Sequence, residues 1–178
     1  MNYTETHKKT LMRYEGMIAS VRLDTVRMPD GSEAYREIVE HPGGVSVLPV
    51  DGEGYAYCVR QYRYALSAVL LEAPAGKRNP GESLEDCAAR ELSEETGISA
   101  KEYIYLGELY PSPGFCEEVL YLFLARGLEF GNAHPDEEEV INTERIHLDE
   151  LYDMVCRNEI KDAKTIISVM KAKAILEK

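Results

Sequence analysis

No apolar run in this sequence approaches the roughly 18 residues that a membrane-spanning helix needs, and Met1 to Lys9 lack the apolar core of a signal peptide. The expectation is a soluble, cytoplasmic protein with no membrane partner. Cysteine is sparse: Cys58, Cys87, Cys116 and Cys156 are widely spaced, with no C-x-x-C pair and no histidine cluster nearby. That spacing argues against a zinc site and a disulfide framework, and leaves ordinary reduced, mostly buried thiols. Positive charge is also short, with 20 Lys and Arg against 32 Asp and Glu, a net charge of −12 and a pI near 4.8. So acidic a surface repels a phosphate backbone, which argues against nucleic acid as a partner. An acidic protein that handles a phosphorylated substrate needs cations to bridge the two.

What is present suffices for a folded protein. With 178 residues, 44% of them hydrophobic, the chain can bury a substantial core as one domain, or one domain plus a small appendage. Ala19 to Met28 alternates apolar and polar residues, Pro29-Asp30-Gly31 is a turn, and Ala34 to Glu40 alternates again. This predicts a small antiparallel sheet, short of core by itself, that leans on the rest of the chain or on a second subunit. His41-Pro42-Gly43-Gly44 breaks the pattern, which divides the chain into residues 1–40 and 41–178. His41, with no other histidine near it, reads as a turn residue. Val45 to Val50 and Tyr55 to Tyr64 follow as strands. The second ends in Arg60-Gln61-Tyr62-Arg63-Tyr64, a composition suited to an anionic, ring-containing ligand. Glu72, set in an apolar run, either pairs with a neighbouring arginine or faces a ligand.

The chain is organised around Gly76 to Ile98. Ser83 is a good N-cap with Asp86 three residues on, Leu84, Ala88 and Leu92 form one apolar stripe, and Gly97 stands where a left-handed terminator is wanted. A helix over about Leu84 to Thr96 is predicted. Glu91, Glu94 and Glu95 then share one arc, since successive residues turn by about 100°. Like charges at that spacing cost roughly 0.2–0.5 kcal/mol per pair, and carboxylates near a helix C-terminus also oppose the macrodipole. A divalent cation would relieve them, and Mg²⁺ favours a few carboxylates plus waters and phosphate oxygens. Glu82 stands close enough in sequence to join, with Arg90 holding one carboxylate by a forked bond.

Gly76, Glu82 and Arg90-Glu91-Leu92-Ser93-Glu94-Glu95-Thr96-Gly97-Ile98 match every fixed position of G-x5-E-x7-R-E-U-x-E-E-x-G-U, where U is aliphatic. The chain thus resembles the Nudix hydrolases. Arg36 to Gly43, Val59 to Tyr64, Glu72 to Gly76 and Ser112-Pro113-Gly114-Phe115 are similar to the ADP-ribose pyrophosphatase branch, with Pro113 about fifteen residues beyond the box as a marker. The resemblance implies an α/β fold, the Nudix α/β/α sandwich with a mixed sheet, preceded by a small antiparallel β domain that is exchanged within a homodimer. It implies Mg²⁺, or Mn²⁺ in its place, held by Glu91 and Glu95, with Glu94, Glu82 and the Ala75 carbonyl assisting. It further implies that water attacks the pyrophosphate of ADP-ribose to give AMP and ribose 5-phosphate. Arg90 and Glu94 belong to the catalytic group, and Arg36, Arg60, Arg63, Glu72, Gly114 and Phe115 to substrate binding.

Beyond the box, Glu102 to Tyr110 and Val119 to Ala125 read as strands joined by a loop. Glu117 and Glu118 in that loop either face substrate or are simply solvated. The acidic run Asp136 to Glu139 would by charge alone be a solvated loop. The family places a glutamate here that closes over substrate as catalytic base or metal ligand, which favours Glu137 as base and Glu139 as a metal or water contact, with Glu138 as the adjacent register. Leu148 to Asn158 and Asp162 to Leu176 are predicted helices, the second packing through Ile166, Ile167, Met170 and Ile175. The alternatives are hydrolysis of another nucleoside diphosphate sugar, a GDP- or ADP-hexose, and a non-catalytic ligand-sensing domain. The last would be expected to lack a metal carboxylate, and none is missing.

Overall fold

The computed structural model describes residues 1–135 and 140–177, which divide into two compact units. The first comprises Met1–Gly43 and Tyr110–Val119. In it β1 (Thr6–Glu15), β2 (Ser20–Arg27) and β3 (Glu33–Glu40) form an antiparallel sheet in the order β1-β2-β3. The predicted hairpin is β2–β3, and Gly31 takes the positive φ of 88° that its turn requires. The sheet gains one strand over the sequence reading, because β1 is exposed throughout and shows no alternation of burial. Asp24 is buried where strands pair, accepting bonds from Thr10 Oγ1 at 2.7 Å and Arg22 Nε at 2.8 Å.

The second unit comprises Gly44–Leu109 and Leu120–Lys178, described to residue 177. Its mixed sheet has the order β7-β4-β9-β8, from β4 (Gly44–Pro49), β7 (Ala75–Lys77), β8 (Ile98–Leu109) and β9 (Leu120–Phe130). A second sheet, β10-β5-β6, joins β5 (Tyr55–Arg63), β6 (Ala68–Glu72) and β10 (Asn142–His147). The helices are α1 (Leu84–Thr96), α2 (Leu148–Cys156) and α3 (Ala163–Leu176).

The central strands explain the layering. β4 and β9 run parallel, and β4 and the Leu122–Ala125 stretch of β9 are buried on both faces, so they read as largely apolar runs rather than alternating ones. Their successive side chains still point to opposite faces. Val45, Val47, Phe123 and Ala125 pack with Cys87, Ala88 and Leu92 of α1. Leu48, Val50, Leu122 and Leu124 pack with Leu148 and Leu151 of α2 and Val169 and Ala172 of α3. Helix, sheet and helix thus form the expected α/β/α sandwich. All four cysteines are free, Cys58 and Cys87 buried and Cys156 exposed. Among the described residues no helix is long and apolar enough to cross a membrane.

Two sequence readings change. α3 packs through Thr165, Ser168, Val169 and Ala172, with the predicted Ile166 and Ile167 half-buried against the same core, whereas Met170 and Ile175 are 49% and 40% exposed. Apolar content misled here, since small and hydroxylated side chains let the helix sit close to the sheet. β10 was missed because Asn142-Thr143-Glu144-Arg145-Ile146-His147 is mostly polar, and it pairs along β5 all the same. Leu124→Ala should cost about 2–5 kcal/mol, and Met170→Ala less than about 1 kcal/mol, read as free energies from urea unfolding. Equal costs would contradict this packing.

Candidate active site

α1 begins and ends as its sequence dictates. Ser83 Oγ accepts from Asp86 N at 3.0 Å and donates to Asp86 Oδ2 at 2.7 Å. Gly97, at φ 70°, donates to Ser93 O. A Cβ on Gly97 would fall 2.6 Å from Ala133 N, so this glycine serves both the left-handed cap and a close backbone contact. The segment beyond β9 is tied to the same helix end: Gly131 N donates to Gly97 O at 2.7 Å and His134 N to Glu94 O at 2.8 Å. Glu137 and Glu139 follow this segment and lie outside the described residues.

The four box glutamates are arranged by one arginine and one backbone turn. Arg90 donates from Nε and Nη2 to the two oxygens of Glu82 at 2.8 and 3.1 Å. Its Nη1 reaches Glu91 Oε1 at 2.7 Å and Glu94 Oε2 at 2.8 Å, and Nη2 also reaches the Lys77 carbonyl at 2.9 Å. Arg90 therefore holds three carboxylates, not one. Glu95 is 5% exposed and accepts from Ala75 N at 3.2 Å. Glu91 lies over Gly76 so closely that a Cβ there would stand 2.0 Å from its carboxylate carbon.

These positions bear on the implied cation. The candidate donors, Glu82, Glu91, Glu94, Glu95 and the Ala75 carbonyl, are all hard oxygens, which suits Mg²⁺ or Mn²⁺ better than a soft metal. The bare Cα of Gly76 leaves the room that the Glu91 carboxylate occupies. Among the described residues no group of three or more acidic, histidine or cysteine side chains is placed to hold a metal ion by itself. Glu82, Glu91 and Glu94 converge instead on the Arg90 guanidinium, itself a cation, while Glu95 turns to the Ala75 N–H, so the residues fit an open site rather than a closed cage.

Of the two roles open to Glu72, pairing is the one observed: at 1% exposure it takes Arg63 Nε and Nη2 at 2.7 and 2.6 Å and also Lys164 Nζ. Burial pushes the Glu72 carboxyl up, and the Arg63 and Lys164 bonds outweigh it and hold it below the ordinary range. Arg60 is forked onto Glu144 of β10 at 2.5 and 3.0 Å. Arg36, Gly114 and Phe115 belong to the first unit. There Arg36 pairs with Glu5 at 2.6 Å, and the Phe115 carbonyl accepts from Val39 N at 2.7 Å. Glu117 pairs with Arg22 at 2.7 Å. His41 caps its own turn, accepting from Gly43 N at 3.1 Å, and lies 3.4 Å from Glu118.

The sequence reading missed Lys164, Thr165 and Asp162. Asp162-x-x-Thr165 is a legible capping pattern, and Asp162 Oδ2 does accept from Thr165 N at 3.0 Å. The partner of Thr165 Oγ1, the Ala73 N–H at 2.7 Å, lies 92 residues away and leaves no local signal.

A family profile for the NUDIX domain matches residues 40–169. The chain belongs to the Nudix family. It is 37% identical over 158 residues to the ADP-ribose pyrophosphatase of Bacillus subtilis (strain 168), spanning 88% of this chain and 85% of that protein. It is 36% identical over 169 residues to the methanol dehydrogenase activator of Bacillus methanolicus, covering 94% and 91% of the two chains. The GDP-mannose pyrophosphatase of Yersinia pestis (strain Pestoides F) is 32% identical over 153 residues, 77% of this chain and 74% of that one. The crystal structure of an ADP compounds hydrolase superposes with a TM-score of 0.87 at 20% identity, covering 99% of this chain and 97% of that one, a likeness of fold.

Arg90 and the Asn79 N–H draw the Glu82 carboxyl down to about 2 from an ordinary 4.5. A folded-state value below the unfolded one stabilises the fold above pH 4.5, and that contribution is lost as pH falls toward 2. The stability difference between wild type and Glu82→Gln, from urea unfolding at stepped pH, should be constant above pH 4.5 and shrink below it. A difference independent of pH would show that the ion pair carries none of it.

Proposed function

We propose that this protein is a divalent-cation-dependent Nudix pyrophosphohydrolase that cleaves ADP-ribose to AMP and ribose 5-phosphate. The observation that carries this reading is the set of α1 carboxylates brought against the Ala75-Gly76 backbone, with Glu91 on the bare Cα of Gly76 and Glu95 on the Ala75 N–H. The choice of ADP-ribose is supported by the 37% identity to a protein named for that activity.

In this reading the Ala75 carbonyl, Glu91 and Glu95, aided by Glu82 and Glu94, hold Mg²⁺, with Mn²⁺ as its substitute. The cation, when bound, neutralises the pyrophosphate, acts as Lewis acid and lowers the pKa of coordinated water. Arg90 keeps Glu82, Glu91 and Glu94 oriented between turnovers. Glu137 takes the proton from the attacking water, and Glu139 supports a metal or water contact. As the new P–O bond forms, the bridging P–O bond breaks and leaves two phosphate monoesters. Arg36, Arg60, Arg63, Gly114 and Phe115 contact substrate. Residues 1–40 act as a dimer-forming subdomain and 41–178 as the hydrolase domain, in a cytoplasmic homodimer. Exposed Leu11, Met12 and Tyr14 on β1 support the dimer.

Incubation with ADP-ribose and Mg²⁺ should yield AMP on nucleotide separation, and chelation with EDTA should stop it. No AMP at any enzyme concentration would overturn the proposal. The Yersinia pestis relative motivates a second reading, GDP-mannose as substrate. A higher kcat/KM for GDP-mannose than for ADP-ribose would favour it. Glu91→Gln and Glu95→Gln should each lower kcat by orders of magnitude while circular dichroism stays unchanged. Full activity in both would place the chemistry elsewhere.

A further inference from the structure

Lys164 is an unexpected interior side chain. It is 7% exposed, although lysine is seldom buried without a partner. It also stands in the first turn of α3, where the macrodipole disfavours a cation. Two carboxylates offset these costs: Glu72 accepts a bond from Nζ, and Asp162, the N-cap of α3, accepts another at 3.0 Å. Stability is a weak explanation for such a pair, since well-packed apolar replacements of buried ion pairs are often neutral or stabilising.

The other partner of Glu72 supplies a better one. Both Glu72 oxygens receive the Arg63 fork, which fixes the plane of that guanidinium through Nε and Nη2. Nη1 has no hydrogen bond among the described residues, and Glu95 adds its negative field to the same guanidinium. The neighbouring residue is held from the same helix, by Thr165 Oγ1 accepting from Ala73 N.

We infer that Lys164 and Glu72 are positioning residues that act through Arg63. α3 locks the Glu72 carboxylate, Glu72 locks the Arg63 fork, and the remaining N–H edge of Arg63 is presented to a phosphate oxygen of the substrate beside the α1 glutamates. Glu72, fully engaged, acts on substrate only through Arg63. This rests on the pyrophosphatase reading above.

Lys164→Met removes the charge and keeps the apolar stem. With ADP-ribose and Mg²⁺ it should raise KM about tenfold, the equivalent of one charge-assisted hydrogen bond, and leave kcat within about twofold, as expected when ground state and transition state lose the same contact. Added to Arg63→Met, it should raise KM no further. An unchanged KM, or effects that multiply in the double variant, would overturn the inference. Should Lys164→Met fail to fold, because Glu72 is then buried without a counter-charge, Glu72→Gln/Lys164→Met leaves no orphaned charge and is expected to raise KM equally. A substrate-free readout separates this inference from the functional one. The Arg63 Nε–H should exchange slowly in ¹⁵N NMR of the wild type and fast in the variant. Slow exchange in both defeats the positioning role, whereas a wild type that yields no AMP defeats the functional reading alone.

Discussion

The Glu91 carboxylate, lying where a side chain on Gly76 would have to be, is the constraint that the other features serve. A side chain at 76 would put a methyl group where the carboxylate is, 2.0 Å from its carbon. For the contact to exist, the helix and the strand must approach within reach of a glutamate at one definite rotation of α1. The apolar face sets that rotation: Cys87, Ala88 and Leu92 are buried against Val45, Val47 and Phe123, and Glu91 follows from the helical repeat. Small residues at 87 and 88 let the helix sit low. The N-cap at Ser83 and the left-handed Gly97 fix its length, so the glutamates fall on the last two turns.

The strand side is held as firmly. Glu72 is taken by Arg63 and Lys164, Ala73 by Thr165, the Pro74 carbonyl by Val47 N and Ser46 Oγ, Ala75 by Glu95, and Gly76 by β4 pairing and the Glu91 contact. Each residue from 72 to 76 is thus fixed by an element different from, or additional to, that of its neighbour. Backbone groups in a buried segment need partners in any case. Here the partners are drawn from β4, β5, α1 and α3, so the segment cannot shift without disturbing several elements at once. That rigidity is what a site requiring fixed donor positions needs.

The box and the helix were legible because local rules write them: a cap, an apolar stripe, a glycine terminator and a charge pattern that opposes helix stability. The two-faced core was legible in β4 and the first part of β9 as largely apolar runs. β10 and part of the packing face of α3 were not, since one is mostly polar, and the other adds Thr165, Ser168 and Ala172 to the expected Ile166 and Ile167. The Lys164–Glu72 pair joins residues 92 positions apart and follows no periodicity. In general the parts of the site made by one helix could be read in order, and the parts made by tertiary pairing could not. Arg90 lies between these cases: its place in the box is fixed, yet the number of carboxylates it serves depends on where the turn at Lys77 and Glu82 returns.

That number explains why the residue is arginine. Its Nε, Nη1 and Nη2 hydrogens go to both oxygens of Glu82, to Glu91, to Glu94 and to the Lys77 carbonyl, which uses every donor a guanidinium has. Lysine has three, in no fixed plane, and would leave at least two of these acceptors unserved. Glutamates at this spacing repel by roughly 0.2–0.5 kcal/mol per pair even at a solvated surface, and more where they are partly buried. A single side chain that answers two of them, Glu91 and Glu94, along with Glu82 just before the helix, lets α1 keep its acidic face in a folded protein while Glu95, turned to the Ala75 N–H, stays outside the arginine cluster. The face is stable enough to persist and remains a set of hard oxygen donors.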